Sequence, residues 1–182
     1  YDSSPVVMND NANPIACRFT NVWPIEVLPI KVAEVLTVNT NREINGRQQP
    51  MLEVKIQLDA TKNNIANYQF DKLRLFINQP ISDASLWMLM LGQQLQSVEI
   101  TDTSGSYTLA KNTVSLTGFN NENNLFDNGG SSSLHQTLQE YFMVPEKFQF
   151  IDLDLSTWQQ RNGEHFEISF VFHSPSFHLP AL

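Results

Sequence analysis

Two aspartates in the segment IDLDL have the spacing that could support acid–base catalysis. On a β-strand, Asp152 and Asp154 would share one face at about 7 Å, close to the separation of paired carboxylates in glycosidases. The intervening and flanking residues Ile151, Leu153 and Leu155 would face the other way, as in a strand with one solvated face. No further acid or base is placed to separate the two pKa values. We therefore favour the solvated strand face over a hydrolase.

The other residues that could do chemistry are not grouped in a recognisable way. His173 and His178 are a weak match to zinc-ligand spacing, and His135 and His165 stand apart from them. Cys17 has no histidine near it in sequence that could activate it. The sequence contains neither G-x-S-x-G nor a glycine-rich phosphate loop. We predict no enzyme activity, no catalytic residue, no cofactor, no metal and no small-molecule substrate.

Two of the tryptophans could give the protein a ligand-binding function instead. Trp23 or Trp158 could form a stacking platform for a sugar, which makes a carbohydrate-binding β-sandwich the alternative function. Trp87 lies in an apolar helical segment and is expected in the core.

Composition narrows the class of partner. The 182 residues carry a net charge of −8, and no basic cluster would bind nucleic acid or anionic lipid. The apolar runs are shorter than the roughly 20 residues of a membrane helix, so we expect no membrane insertion. A single cysteine favours a cytoplasmic protein. The start at Tyr1 and the end just after a strand suggest a piece of a longer protein.

Hydrophobic periodicity predicts a mainly β (α+β) fold. Residues 1–24 are polar and proline-rich and should form an irregular N-terminal arm, followed by one domain over 25–182. Alternating segments such as MLEVKIQLDA and EHFEISFVFH predict seven to eight strands in an antiparallel, sandwich-like arrangement with two helices. Pro29 suggests that residues 26–38 form an edge or bulged strand. Residues 81–95 predict a helix capped by Ser82 or Asp83.

The second helix is expected after the Asn- and Gly-rich loop 120–132. Ser133 and Gln136 form a capping-box pattern at its start. The helix should bury one face and end before Pro145, which disfavours helical backbone at the preceding residue. The apolar positions of that face are Leu134, Leu138, Tyr141 and Phe142.

Phe148 and Phe150 should enter a strand with a bulge, and that strand should pair with residues 164–173 as a hairpin. Glu140, Glu146 and Lys147 are left to cap or pair locally. If Tyr141, Phe142 and Phe148 are buried, truncating any one of them to alanine should cost about 3–5 kcal/mol.

The succession LTGFNNENNLF, a Gly/Ser loop and LHQTLQEYFMVPEKFQFIDLDL resembles the TssF family, also called VasA or ImpG. The upstream ACRFTNVWPIEVLPIKVAEV and FDKLRLFIN occur in the same order as in the central region of that family. The matching signature positions are Gly118, Phe119, Glu122, Leu125, Leu138, Gln139, Glu140, Tyr141, Phe142, Pro145, Glu146, Lys147, Phe148, Phe150 and Asp152. The resemblance implies that these positions are structural rather than catalytic.

The resemblance also implies a function. TssF proteins are baseplate wedge subunits of the bacterial type VI secretion system, a contractile injection system. The expected partners are therefore proteins, namely TssG, TssE, TssK and a second TssF copy, at the cytoplasmic face of the envelope complex. The chain would be a central piece of such a subunit.

Overall fold

The computed structural model describes residues 6–8, 15–17, 21, 23–24, 26–61, 64–126, 133–175 and 177–182. These residues contain ten strands and two α-helices. The strands are β1 Val6–Met8, β2 Ile15–Cys17, β3 Ile30–Ile44, β4 Arg47–Ala60, β5 Lys72–Phe76, β6 Leu95–Asp102, β7 Gly105–Ala110, β8 Val114–Leu116, β9 Phe150–Asp154 and β10 His165–His173. The helices are α1 Ile81–Gln93 and α2 Ser133–Met143. Short 3-10 helices cover Ile65–Asn67, Lys111–Thr113, Thr117–Phe119, Asn121–Asn123 and Pro145–Gln149.

Eight of the strands form two antiparallel sheets. The larger sheet has the order β3-β4-β10-β6-β7, and the smaller has the order β5-β9-β8. The predicted mainly β class with two helices is therefore confirmed. A separate pair, β1 with β2, lies within the segment expected to be an irregular arm, and the domain division at residue 24 stays a prediction.

The core forms because each sheet places one set of alternating apolar residues between the two sheets. β4 contributes Leu52, Val54 and Leu58, while their neighbours Lys55 and Gln57 are only half-buried. Helix α1 adds a further layer by burying Ala84, Trp87, Met88 and Met90. Trp87 is thus a core residue, as predicted. The N-cap of α1 is Pro80 rather than Ser82 or Asp83, because the helix already begins at Ile81.

The predicted hairpin between β9 and the last strand is wrong. β10 lies in the middle of the larger sheet, where it pairs with β4 and β6, whereas β9 pairs with β5 and β8 in the smaller sheet. Residues 166 and 168–172 of β10 are all buried, which is typical of a central strand. Residues 155–164 cross between the sheets and bury Trp158 against Phe166, at 5.2 Å between ring centroids.

β3 and β4 form a long hairpin at one edge of the larger sheet. Asn45 and Gly46 have φ angles of 52° and 75°, the left-handed conformation that a tight type I′ turn requires. β3 starts directly after Pro29 and has an irregular register between Val32 and Glu34, so the predicted edge position and bulge are both confirmed.

The tip of this hairpin folds over the outer face of its own sheet. The Arg42 guanidinium binds the carboxylates of both Glu53 on β4 and Glu99 on β6, although β10 lies between those two strands. Arg42 therefore ties the β3–β4 hairpin to the middle of the larger sheet.

Candidate assembly surface

A buried ion pair fixes α2 to the chain that follows it. Glu140 on α2 and Lys147 in the 3-10 helix Pro145–Gln149 contact each other directly, and both side chains are almost completely inaccessible to solvent. Glu140 also accepts hydrogen bonds from the backbone amides of Leu125 and Phe126, at 2.8 and 3.1 Å. One carboxylate therefore joins three segments of the chain.

The electrostatics of Glu140 follow from these contacts. Burial acts to raise its pKa, but the hydrogen bond from Lys147 and the two backbone amides outweigh burial and hold the pKa below its ordinary value. Gln136, one helical turn before Glu140, donates to the carbonyl oxygen of Phe126. The predicted capping box with Ser133 lies outside the described side chains. The polar side chains of Gln136 and Glu140 thus make up the buried face of α2.

Because polar groups occupy the inner face, the apolar face of α2 points outward. The prediction that Leu138, Tyr141 and Phe142 are buried is therefore wrong, and Phe142 is 79% exposed. Leu134, Leu138, Tyr141, Phe142 and Met143 all stand among the exposed large hydrophobic side chains, and we call them the α2 face. None of these side chains is charged, and the one carboxylate on the helix, Glu140, is buried.

Phe148 and Gly118 pack closely together beneath α2. Phe148 is buried and has edge-on ring contacts with Tyr141 at 5.5 Å and with Phe119 at 5.0 Å. A Cβ at Gly118 would lie 2.8 Å from both the Lys147 carbonyl oxygen and the Phe148 Cα. Glycine is therefore required for this close approach. Phe148 lies in the 3-10 helix, so of the two phenylalanines predicted in the strand only Phe150 enters β9.

An apolar groove of about 420 Å³ separates α1 from α2 and is continuous with the α2 face at Tyr141. Its rim includes the exposed side chains of Ile81, Leu89 and Phe119. Together the groove and the α2 face form a surface that suits a protein partner.

The aspartate pair in β9 is not a solvated strand face. Asp152 is buried and binds Arg74 through two hydrogen bonds of 2.6 and 2.8 Å, with Lys72 at 2.8 Å. Burial acts to raise the Asp152 pKa, but Arg74 and Lys72 lower it overall. Asp154 is exposed, and hydrogen bonds from Ser156 lower its pKa as well. Neither carboxyl would hold a proton near pH 7, so the pair does not suit a general acid.

The two tryptophans both make contacts within the protein. Trp158 is 1% exposed, which rules out stacking on a ligand. Trp23 is half-buried, with the Arg74 guanidinium 5.0 Å from its ring and Phe150 at 5.4 Å. Its indole NH donates to the Asn123 carbonyl oxygen. Trp23 therefore connects the N-terminal part of the chain to β5, β9 and the loop before α2.

The remaining signature positions divide into exposed and half-buried residues. Glu122, Gln139 and Glu146 are exposed, and Leu125 is half-buried. Helix α2 ends at Met143, before Pro145, as predicted, and Pro145 begins a 3-10 helix. Across the described ranges, no three His, Cys, Asp or Glu side chains are placed to hold a metal ion. The sequence left Glu140, Glu146 and Lys147 to cap or pair locally, and the structure pairs Glu140 with Lys147 and buries both side chains.

The described residues thus form a two-sheet, mainly β domain whose helix α2 presents an uncharged, apolar face to solvent. The chain belongs to the family described as "Type VI secretion system, TssF", because the sequence model of that family matches residues 3–181. The resemblance predicted from the sequence is confirmed. A comparison with curated proteins gave no match.

A solved structure shows the same fold. It is the structure of the type VI secretion system TssK-TssF-TssG baseplate subcomplex, determined by cryo-electron microscopy. A chain of that complex is 24% identical and superposes with a TM-score of 0.70 over 98% of the present chain. The present chain spans about a third, 33%, of the length of that chain. Among the described residues, no helix is long and apolar enough to cross a membrane.

Proposed function

We propose that this chain is a structural part of the type VI secretion baseplate and that it acts through protein contacts rather than catalysis. Membership of the TssF family supports the assignment to this system. The observation that carries the role is the α2 face, because a surface helix in a monomeric domain normally turns its apolar stripe inward. Here the buried Glu140 holds the stripe outward.

The proposed partners are TssG and TssK, which occur together with TssF in the solved baseplate subcomplex. TssE and a second TssF copy complete the proposed wedge, at the cytoplasmic face of the secretion complex. The scaffold role of the signature residues belongs to the same proposal. Its support is the dense packing of Gly118, Glu140, Lys147, Phe148 and Asp152, all of which are buried.

Co-purification tests this function. The chain would be co-expressed with the TssG and TssK proteins of its own secretion system, and the product would be analysed by size exclusion with mass determination. We expect a stable complex, and we expect Phe142→Ser to abolish co-elution without lowering the melting temperature.

Val27→Ser is the matched control, because Val27 is 88% exposed and lies outside α2. It should leave co-elution unchanged. Failure of the unmodified chain to bind either partner would contradict the proposed function. An intact complex with Phe142→Ser would show that the α2 face is not the contact.

A further inference from the structure

The outer edge of β3 is the longest open strand edge in the part of the chain that the structure describes. β3 has 15 residues, and its sole neighbour in the sheet is β4. In an antiparallel pair, every second residue turns its NH and C=O groups away from the partner strand. The opposite edge strand of the sheet, β7, has six residues. β3 therefore offers a much longer row of open backbone groups.

Apolar side chains are exposed on both faces of β3. Val32 and Val35, which pair with Leu58 and Ile56, belong to the inner face of the sheet and are 53% and 38% exposed. Leu36 and Val38, which pair with Lys55 and Glu53, belong to the outer face and are 38% and 40% exposed. A helix or loop would cover only one of these faces. An added strand would cover both, and it would also satisfy the open backbone groups.

The edge has little protection against such pairing. Natural edges are usually blocked by lysine, proline or a bulge. β3 carries its bulge near one end, between Val32 and Glu34, and the run Val35–Asn41 contains neither charge nor proline. This segment combines high β-propensity with an open edge.

The charges at the two ends of the run define the complementary partner. Lys31 is paired with Asp59, and Arg42 is paired with Glu53 and Glu99. Within the described ranges the carboxylates of Glu34 and Glu43 have neither an ion pair nor a hydrogen bond. A strand that carries a cation opposite each of them would be complementary.

We propose that β3 is the docking edge for a β-strand of another baseplate subunit, uncharged and apolar in its middle and basic at both ends. This inference rests on the proposed function and adds the site and the chemistry of the partner segment. A second copy of this chain fits less well, because both cations of its β3 are already paired. The net charge of −8 would also oppose self-association.

The first test uses synthetic peptides as long as the span Glu34–Glu43. One peptide has lysine at both ends and alternating valine and threonine between them, and its matched control has glutamate at both ends. We expect the lysine peptide to bind the chain roughly fivefold more tightly by fluorescence anisotropy. The double variant Glu34→Lys/Glu43→Lys should reverse this preference. The proposal would be overturned if the chain bound both peptides equally, or if the double variant still preferred the lysine peptide.

Val38→Lys tests the edge itself, because a lysine on an edge strand discourages pairing. It should abolish binding of the lysine peptide, whereas Leu89→Lys on the exposed side of α1 should not. Dimerisation of the chain that Val38→Lys removes would instead identify a second copy as the occupant and overturn the proposal.

The second test is residue-resolved amide hydrogen exchange of the chain, alone and in complex with TssG and TssK. Strand addition should slow exchange at every second amide of β3 by at least roughly tenfold. A complex in which β3 exchange is unchanged would overturn the docking edge while leaving the proposed function intact. Absence of any complex would count against the proposed function, and the peptide measurement would still decide the inference.

Discussion

Glu140 and Lys147 form an ion pair across the turn at Pro145, seven residues apart in sequence and both buried. The pair links α2 to the 3-10 helix. The backbone amides of Leu125 and Phe126 also donate to Glu140, which links the loop before α2 to the same carboxylate. It therefore determines which face of α2 points outward. A buried pair of this kind contributes orientation more dependably than net stability.

Breaking this pair on one side should destabilise the chain strongly. Lys147→Met leaves Glu140 as a buried carboxylate without its cation, and we expect a loss of about 3–5 kcal/mol in the free energy of unfolding. The double variant Glu140→Gln/Lys147→Met should lose less than the sum of the two single variants. Urea unfolding measures all three. The exposed Glu146→Gln serves as control and should stay within about 0.5 kcal/mol of the parent chain. Additive losses would show that the pair is not coupled.

Acid should destabilise the chain through Glu140 and Asp152. The folded pKa of each carboxyl is lowered, so the unfolded chain binds more protons as the pH falls through the ordinary values of about 4. The two carboxylates should therefore make their full contribution to the free energy of unfolding at neutral pH, and this contribution should decrease below about pH 5. Urea midpoints measured between neutral and acidic pH check this. Asp152→Asn should flatten the pH dependence, whereas a parent midpoint that does not change on acidification would contradict it.

Two glycines should respond to alanine in opposite directions. Gly118→Ala places a Cβ 2.8 Å from the backbone of Lys147 and Phe148, and we expect a loss of about 1–3 kcal/mol. The nearest atom to a Cβ at Gly92, in α1, is a Leu116 methyl carbon at 3.8 Å. Gly92→Ala should therefore gain up to about 1 kcal/mol from helix propensity. Thermal unfolding of both variants tests the pair, and equal shifts would contradict the packing described here.

Local patterns predicted the elements that depend on local chemistry. Strict alternation located β4, because successive side chains of a strand point to opposite faces of the sheet. Pro29 and Pro145 located an edge strand and a helix end for the same kind of reason.

Local patterns do not show which strands pair when the strands are far apart in sequence. Adjacent alternating segments suggested a hairpin of β9 and β10, but the apolar residues on both faces of β10 gain more burial in the centre of the larger sheet. The apolar stripe of α2 was assigned to the core because hydrophobicity alone was weighed. In the structure, burial of Glu140 with its hydrogen-bond partners outweighs burial of that stripe. These partners are Lys147 and the backbone amides of Leu125 and Phe126, which lie outside α2, so the periodicity of the helix alone does not reveal them.

Phe142 and Phe148 provide the sharpest contrast between surface and core. Phe148 is 3% exposed, so Phe148→Ala should cost about 3–5 kcal/mol in the free energy of unfolding. Phe142 lies on the α2 face, so Phe142→Ala should change it by less than about 0.5 kcal/mol. Denaturant unfolding of the isolated chain measures both values. A large loss at Phe142 would mean that α2 packs its apolar face inward in solution, and the assignment of that face to a partner would then fail. A small loss at Phe142 would mean that its side chain is available for contacts between subunits.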